Sequence, residues 1–580
     1  MKKAILLISI LLSSIGIYAI PALNGAKKLI KLADGTEVLA ELKGDEFMSY
    51  WQTADGNRYV VNGQTGTYVP ANIDAMYANA QIKRSLANAS RRTRVASNMK
   101  KTKIGGDHTT YTGEKRGLII LVEFKDKAFK SGHDNAFYQD VANKVGYTSV
   151  LGFKGSVKDY FLAQSNGTFN LGFDVVGPVK LSHEYAYYGA HDGSSNDIRP
   201  GAMVAQACQL ADSQVDFSKY DWNNDGWVDQ VYILYAGLGE ASGGDENTIW
   251  PHEYELDNSD YGKTLSLDGV GINTYACGCE ITYSYVINRV TGNYQKIERT
   301  DGIGTICHEF SHCLGLPDFY DTRNNSNYGM GTWDLMDQGS YNGNSFCPPN
   351  YTGYEKIYCG WIDAIELNKA ATVQGMKSSA DYGKPFIIYN PANANEFYLL
   401  ENRQQSGWDA SLYGKGLLIT HVDYDKTTWE YNVINSFVNY SWLTNDHQRC
   451  TIFHADNEIG QSKAASIAGD PYPYTSTDGT VNNGLTNTST PADSVYNQNT
   501  DGTRLMNKPI TNITQNSDGT ISFDFMGGST TNIITGINII NQSTEAQNGR
   551  IYSIDGRYLG NDQDKLERGI YIINGKKIIK

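Results

Sequence analysis

Cys307-His308-Glu309-Phe310-Ser311-His312-Cys313-Leu314-Gly315-Leu316-Pro317-Asp318 constrains this chain more than any other run of twelve residues. Ile303, Ile306, Phe310 and Leu314 recur at helical spacing, so the segment reads as an amphipathic helix. His308 and His312 stand at i and i+4 and share one face of it. Two imidazoles on one face can chelate a zinc ion. Glu309 is rotated by about 100° from His308, so its carboxylate flanks the ion and can take a proton from a metal-bound water. Gly315 falls at the position where a left-handed residue stops a helix, and Pro317 prevents its continuation. That turn can return Asp318 to the same ion. Two His and one Asp leave a fourth position for water, as catalytic rather than structural zinc requires.

Downstream, Gly331-Thr332-Trp333-Asp334-Leu335-Met336-Asp337-Gln338-Gly339 offers a methionine in a tight turn, the device found beneath the metal of metzincins. Tyr341 follows and could hydrogen-bond a developing oxyanion. The competing ligand set replaces Asp318 by Glu355, on another helix, but leaves Gly315 and Asp318 without a purpose.

Around this motif strands and helices alternate. Gly117-Leu118-Ile119-Ile120-Leu121-Val122-Glu123-Phe124 and Val231-Tyr232-Ile233-Leu234-Tyr235-Ala236-Gly237 are continuous apolar runs of strand length, the mark of strands buried on both faces. Ser156 to Gln164 and Met203 to Leu210 have helical periodicity. Residues 111–365 are therefore expected to form an α/β (α+β) catalytic domain. Asp221-Trp222-Asn223-Asn224-Asp225-Gly226-Trp227-Val228-Asp229 places oxygen side chains at positions 1, 3, 5 and 9 around a sixth-position glycine, which resembles a calcium loop. Tyr232 stands where a complete EF-hand loop carries Glu; the alternative is an Asx-rich turn leading into a strand.

After residue 365 short β runs recur between Gly, Asn and Pro, and 366–527 is expected to be β-sandwich-like. Gly527 to Asn532 reads as a linker, and 534–580 as a small β-rich C-terminal domain. At the other end, Lys2 and Lys3 precede an apolar stretch from Ala4 to Tyr18, with small residues at Ala19 and Ala22. That pattern predicts a signal peptide over 1–22, the alternative being a membrane anchor. Residues 23–110 then form a pro-segment, β-like to about residue 80, ending in a basic linker. Lys83 to Lys103 has eight basic residues and no acidic one, and Arg91-Arg92-Thr93-Arg94 invites proteolysis.

The chain's 580 residues, 40% of them hydrophobic, can build several cores. A mean hydropathy of -0.43 excludes a polytopic membrane protein. The net charge of -14 argues against a nucleic-acid partner, because phosphates are held by Lys and Arg in excess. Export permits disulfides among the eight cysteines. Cys277 and Cys279, one residue apart, are poorly placed to bridge each other; buried thiols or disulfides are preferred to a second metal site there.

Taken together, these segments resemble the immune inhibitor A family of secreted bacterial metalloproteases, a metzincin branch. The resemblance covers most of residues 30–527. It includes Gly44-Asp45-Glu46-Phe47, Ile249-Trp250-Pro251-His252, the run ending Pro317-Asp318-Phe319-Tyr320-Asp321, Leu400-Glu401-Asn402-Arg403 and Gly469-Asp470-Pro471. It implies a zinc endopeptidase made as a zymogen, with ligands His308, His312 and Asp318, Glu309 as catalytic acid/base, and calcium at Asp221, Asn223, Asp225 and Asp229. Protein or peptide substrates and an extracellular or cell-surface location follow; nothing in the sequence calls for an obligate oligomer. Ile551 to Arg557 and Gly569 to Lys577 resemble the sorting domain of type IX secretion substrates, which implies a secretion machinery as partner. The rival expectation is a surface binding or adhesion protein with a vestigial zinc site. Residues 23–110 hold no Cys, so latency must use a carboxylate such as Asp45 or Glu46, or steric cover.

Overall fold

The computed structural model describes residues 18–80, 100–101, 107–108, 111–191, 196–287, 294–323, 326–441, 443–460, 464–529, 532–534, 551–553, 558–560, 566, 570–573 and 576–579. The apolar stretch before Tyr18 and nearly all of the basic run Lys83–Lys103 lie outside the described residues. The chain divides into two units, Met1–Ile534 and Thr535–Lys580. Among the described residues, no helix is long and apolar enough to cross a membrane.

The sheet of the first unit that carries the site runs, in order, Tyr18–Ala19, His252–Glu255, Thr274–Ile287, Val231–Leu238, Gly113–Glu123 and Phe169–Lys180. The last four are mutually parallel, and His252–Glu255 is antiparallel to its neighbour. Helices cover both faces, which explains the unbroken apolar runs. Ile119, Leu121, Tyr232 and Leu234 enter one hydrophobic cluster, while Leu118, Ile120, Val122, Val231, Ile233 and Tyr235 enter the other. The helix Pro200–Ala211 packs on the second face. The helix Ile303–Cys313, which carries the zinc motif, lies on the first, with Ile303, Ile306, Phe310 and Leu314 buried there. Each such side chain contributes about 1.5–3 kcal/mol of burial.

Two glycines position that helix. A Cβ on Gly278 would stand 2.1 Å from the Tyr232 hydroxyl and 3.4 Å from the Thr305 methyl. The glycine of Cys-Gly-Cys thus lets helix and sheet approach. Gly315 has φ +97° and ends the helix; its N–H donates to His312 O at 2.9 Å. Val157–Gln164 is a helix with a full capping box from Ser156 and Asp159.

Residues 27–70 form a five-stranded antiparallel sheet. Beyond residue 365, a five-stranded and a four-stranded sheet share one hydrophobic cluster. In the five-stranded sheet Phe386, Ile388, Tyr398, Leu400, Leu417 and Ile419 enter that cluster. The alternate residues Ile387, Phe397, Leu399 and Leu418 join instead the cluster containing the zinc-motif helix. This sheet is therefore buried on both faces, and its second face backs the candidate site. All eight cysteines are thiols, seven of them buried. The second unit has four described strands, Ile551–Ser553, Tyr558–Gly560, Ile570–Ile573 and Lys576–Ile579, joined in antiparallel register.

Candidate metal centre

His308, Glu309, His312 and Asp318 come together in the interior, each no more than 1% exposed. His308 Nε2 lies 3.2 Å from Asp318 Oδ1, and His312 Nε2 lies 3.6 Å from the same oxygen. Ligand atoms held about 2.0–2.1 Å from a tetrahedral zinc stand about 3.3 Å apart, so the spacing of Asp318 Oδ1 from each imidazole nitrogen suits a shared ion. Each imidazole is oriented through its other nitrogen: His308 Nδ1 donates to Leu335 O and His312 Nδ1 to Leu316 O, both at 2.8 Å. That tautomer leaves each Nε2 lone pair facing inward. His308 Nε2 is buried with no hydrogen-bond partner, an expensive arrangement in the absence of a cation. The donor set fits zinc.

The turn at Met336 supports two sides of this arrangement. Its neighbour Leu335 accepts from His308, and Met336 O accepts from Phe319 N at 2.9 Å. Glu309 stands beside the imidazoles, its ligand-type oxygen within 4.8 Å of both. Burial drives its carboxyl well above the usual range, the negative charges of Asp318 and Glu253 add to this, and one backbone N–H opposes it. That N–H belongs to Ile20, which donates to Glu309 Oε1 at 2.7 Å.

Ile20 is part of a covering segment. Tyr18–Ala19 adds an antiparallel strand to the sheet edge at His252–Glu255. The next carbonyls are gripped in turn: Ala19 O by the Tyr320 hydroxyl at 2.9 Å, Ile20 O by Trp250 Nε1 at 2.9 Å, Pro21 O by the Tyr341 hydroxyl at 2.7 Å, and Ala22 O by Gln338 Nε2 at 3.0 Å. Main chain thus covers Glu309. Asp45, one of the two carboxylates expected as blocking groups, accepts from Phe47 N and Met48 N within its own hairpin turn.

The profile described as immune inhibitor A peptidase M6, catalytic domain, matches residues 106–360. This segment is similar to the M6 peptidase catalytic domain of the immune inhibitor A type. Vibrio cholerae pre-pro-metalloprotease PrtV is 27% identical over 275 residues, 40% of this chain and 28% of that protein. Immune inhibitor A of Bacillus thuringiensis subsp. alesti is 28% identical over 311 residues, 44% of this chain and 42% of that protein. A putative secreted metallopeptidase of Arthroderma benhamiae is 26% identical over 229 residues, 36% of this chain and 32% of that protein. The chain thus covers less than half the length of each of these relatives.

Part of the candidate site comes from beyond residue 360. Asn432 clamps Asp318 twice: its Nδ2 donates to Asp318 Oδ2 at 2.7 Å and its Oδ1 accepts from Asp318 N at 2.9 Å. Asn435 Nδ2 donates to Phe319 O at 2.6 Å, and Ser436 Oγ to Asp321 Oδ1 at 2.8 Å. The wholly buried Arg403 donates to Trp333 O at 3.1 Å and pairs with Asp409, while Asp470 accepts from Tyr328 and Trp333. Sequence reading did not single out Asn432, Asn435 or Ser436. The resemblance at Arg403 and Asp470 was the signal that this region mattered.

Glu355 takes another part. Its Oε2 accepts from Thr352 N at 2.6 Å, capping its own helix, and the carboxyl faces that of Asp334. Burial pushes both carboxyls up; the charge of Asp334 adds to the rise at Glu355, whereas the hydrogen bond between the two groups opposes the rise at Asp334. In the Asp221 loop, Asp221 accepts from Asp225 N and Gly226 N, and Asp225 from Trp227 N. Asp229 accepts from Trp222 N, and burial with the nearby Asp225 and Asp221 raises its carboxyl to about 7. Cys277 and Cys279 are buried thiols whose ionisation burial disfavours.

Proposed function

We propose that this chain is a secreted zinc-dependent endopeptidase, made as a zymogen and acting on proteins or peptides. The observation that carries the reading is the spacing of His308 Nε2, His312 Nε2 and Asp318 Oδ1 beside the Glu309 carboxylate. Zinc held by these three residues supplies Lewis-acid polarisation of the scissile carbonyl and acidifies a water. Glu309 takes the water proton as general base, holds it, and passes it to the leaving amine. The low-dielectric pocket that raises its carboxyl suits both halves of that transfer. A metzincin-like arrangement, with Met336 in the turn behind the ligands, is part of the same proposal. Calcium at Asp221, Asn223, Asp225 and Asp229 would relieve the mutual repulsion recorded at Asp229.

Latency rests on the covering segment Ile20–Ala22, in which Ile20 N occupies the Glu309 carboxylate. A signal cut after Ala19 leaves Ile20–Ala22 attached to the pro-segment; activation then requires a cut in Lys83–Lys103. Residues 534–580 direct secretion through the type IX route and leave the protein extracellular or attached to the surface.

Casein digestion by the trypsin-activated chain, with and without a chelator, tests the reading. Activity should vanish with chelation and return with zinc. Glu309→Gln should retain zinc and lose roughly 10²–10⁴-fold in turnover. Full activity in that variant overturns the mechanism, and a processed chain that digests nothing favours the binding-protein alternative. A mercurial, which acts through thiols, should leave the zymogen latent.

A further inference from the structure

We propose that Tyr320 is a catalytic residue, the hydroxyl that stabilises the oxyanion of the substrate, and that the Ala19–Ile20 peptide unit marks the place of a scissile bond. This rests on the peptidase reading above and goes beyond it by assigning the oxyanion donor.

One peptide unit is gripped at both ends. Ile20 N–H donates to Glu309 Oε1 at 2.7 Å, and the carbonyl of the same unit, Ala19 O, accepts from the Tyr320 hydroxyl at 2.9 Å. In a trans peptide the N–H and C=O point in opposite directions, so Glu309 and Tyr320 address it from opposite sides. Glu309 is the group that returns a proton to the leaving nitrogen, and here it faces an amide nitrogen. The group on the other side faces the oxygen that becomes negative when water adds. The segment enters as an extra edge strand, pairing Ala19 with His252, a mode by which extended peptides are commonly bound.

The chemistry then balances. Water oxygen bonds to the carbonyl carbon, its proton goes to Glu309, and the carbonyl pair moves onto the oxygen facing Tyr320. Collapse restores the C=O, breaks C–N, and moves the Glu309 proton to nitrogen. One water is consumed; its second proton, left on the added oxygen, passes to the amine, giving a carboxylate and an ammonium group.

Tyr341 makes the same kind of hydrogen bond, at 2.7 Å, but to Pro21 O. That carbonyl lies two residues past the marked bond and never changes charge. A donor to it binds substrate and transition state alike, whereas a donor to the reacting oxygen strengthens as charge develops. Tyr320 is also held for the task. It is 3% exposed, two residues beyond Asp318, and the intervening Phe319 is anchored through N to Met336 O and through O to Asn435. This moves the oxyanion role from Tyr341, the sequence candidate, to Tyr320.

The experiment compares Tyr320→Phe, Tyr341→Phe and the parent as trypsin-activated full chains, with kcat and KM on a fluorogenic peptide. Zinc content, melting temperature and inhibition by a phosphinic peptide, whose anionic tetrahedral group imitates the transition state, complete the set. Tyr320→Phe should keep its zinc and its melting temperature and lose about 10²–10³-fold in kcat with little change in KM. The phosphinic peptide should bind it more weakly by a comparable factor, while a plain product peptide binds as before. Tyr341→Phe should raise KM and leave kcat in place. A Tyr320→Phe enzyme with parental kcat, or one whose lost activity equals its lost zinc, overturns the assignment while leaving the peptidase reading standing. A parent chain that neither cuts peptides nor binds the phosphinic peptide overturns both.

Discussion

The two halves of the candidate metal centre are built in different ways. His308 and His312 sit on one helix, and the carbonyls that orient them, Leu335 and Leu316, lie within 27 residues of the ligands they hold. Asp318 lies on an irregular loop, and Asn432, which clamps its carboxylate and its backbone, comes from 114 residues away. A helix fixes two side chains four residues apart by its own hydrogen bonds. A loop has no such internal geometry and must be fixed by whatever packs on it. The β-rich region after residue 365 therefore belongs to the site: it supplies Asn432, Asn435 and Ser436 to the ligand loop, and Arg403 and Asp470 to the Met336 side.

The largest effects should come from the ligands themselves. Asp318→Ala should lower zinc affinity by orders of magnitude, and His308→Ala likewise, whereas Glu355→Ala should leave metal content unchanged. Metal analysis of the three purified variants decides the matter. If Glu355→Ala lost zinc and Asp318→Ala kept it, the ligand set and the comparison built on it would both be wrong.

That contrast also sets what could be read from the sequence. The His308–Asp318 motif is legible because its chemistry is local: a helical period, a glycine at the stop and an acid six residues past the second His. The α/β pattern is legible too, since strands buried on both faces must be apolar throughout. Asn432 was not legible, because one Asn among many carries no periodicity and its partner is known only after folding. The covering segment was missed for a related reason. Ala19 and Ala22 suit a processing site, and nothing in these small side chains signals that side-chain donors grip each backbone carbonyl from Ala19 to Ala22. The short strands after residue 365 were read correctly as β, but their alternation conceals which face meets the catalytic region. Ile387 and Ile388 look equivalent in sequence and enter different cores.

Asn432→Ala gives the next effect. Removing a residue that orients a metal ligand typically costs about 10–100-fold in metal affinity or activity. Competition with a chromophoric chelator should show zinc affinity reduced within that range. Asn432→Asp should be worse than alanine, because it replaces a donor by a carboxylate against Asp318. Unchanged affinity in both variants would mean that the ligand loop is self-supporting, and the contrast between the two halves would collapse.

The helix half can be strained from behind. Gly278→Ala drives a methyl toward the Tyr232 hydroxyl and the Thr305 methyl, so helix and sheet must separate. Overpacking of this kind costs about 1–3 kcal/mol. A melting temperature lowered by several degrees, with zinc affinity little altered, is the expected result. Loss of zinc before loss of fold would show that the helix half is less rigid than its own hydrogen bonds imply.

The smallest effect should appear in acid, and in the β-rich region. Glu396 is buried, which alone would raise its carboxyl, yet hydrogen bonds and charge from His421 and bonds from Asn390 and Tyr496 N bring it down to about 2. His421 Nε2 stands 2.9 Å from Glu396 Oε1, and Asn497 N donates to Oε2 at 3.0 Å. A carboxyl whose folded value lies below its unfolded one contributes stability in full above about pH 4.5, and the contribution fades as pH falls toward 2. These bonds tie the strand Asn393–Arg403 to Gly416–Asp423 and to the 496–497 segment, so the loss should loosen that region first. Hydrogen exchange between pH 5 and about 2.5 should show protection falling around Tyr398 and His421 before it falls in Ile303–Cys313. Glu396→Gln keeps the acceptor oxygen and removes the titration, so its stability should be lower at neutral pH and flatter across the same range. A parental pH slope in Glu396→Gln would place the acid sensitivity elsewhere. Early exchange in the zinc-motif helix would show that the helix half, not the region that clamps Asp318, is the weaker support of the site.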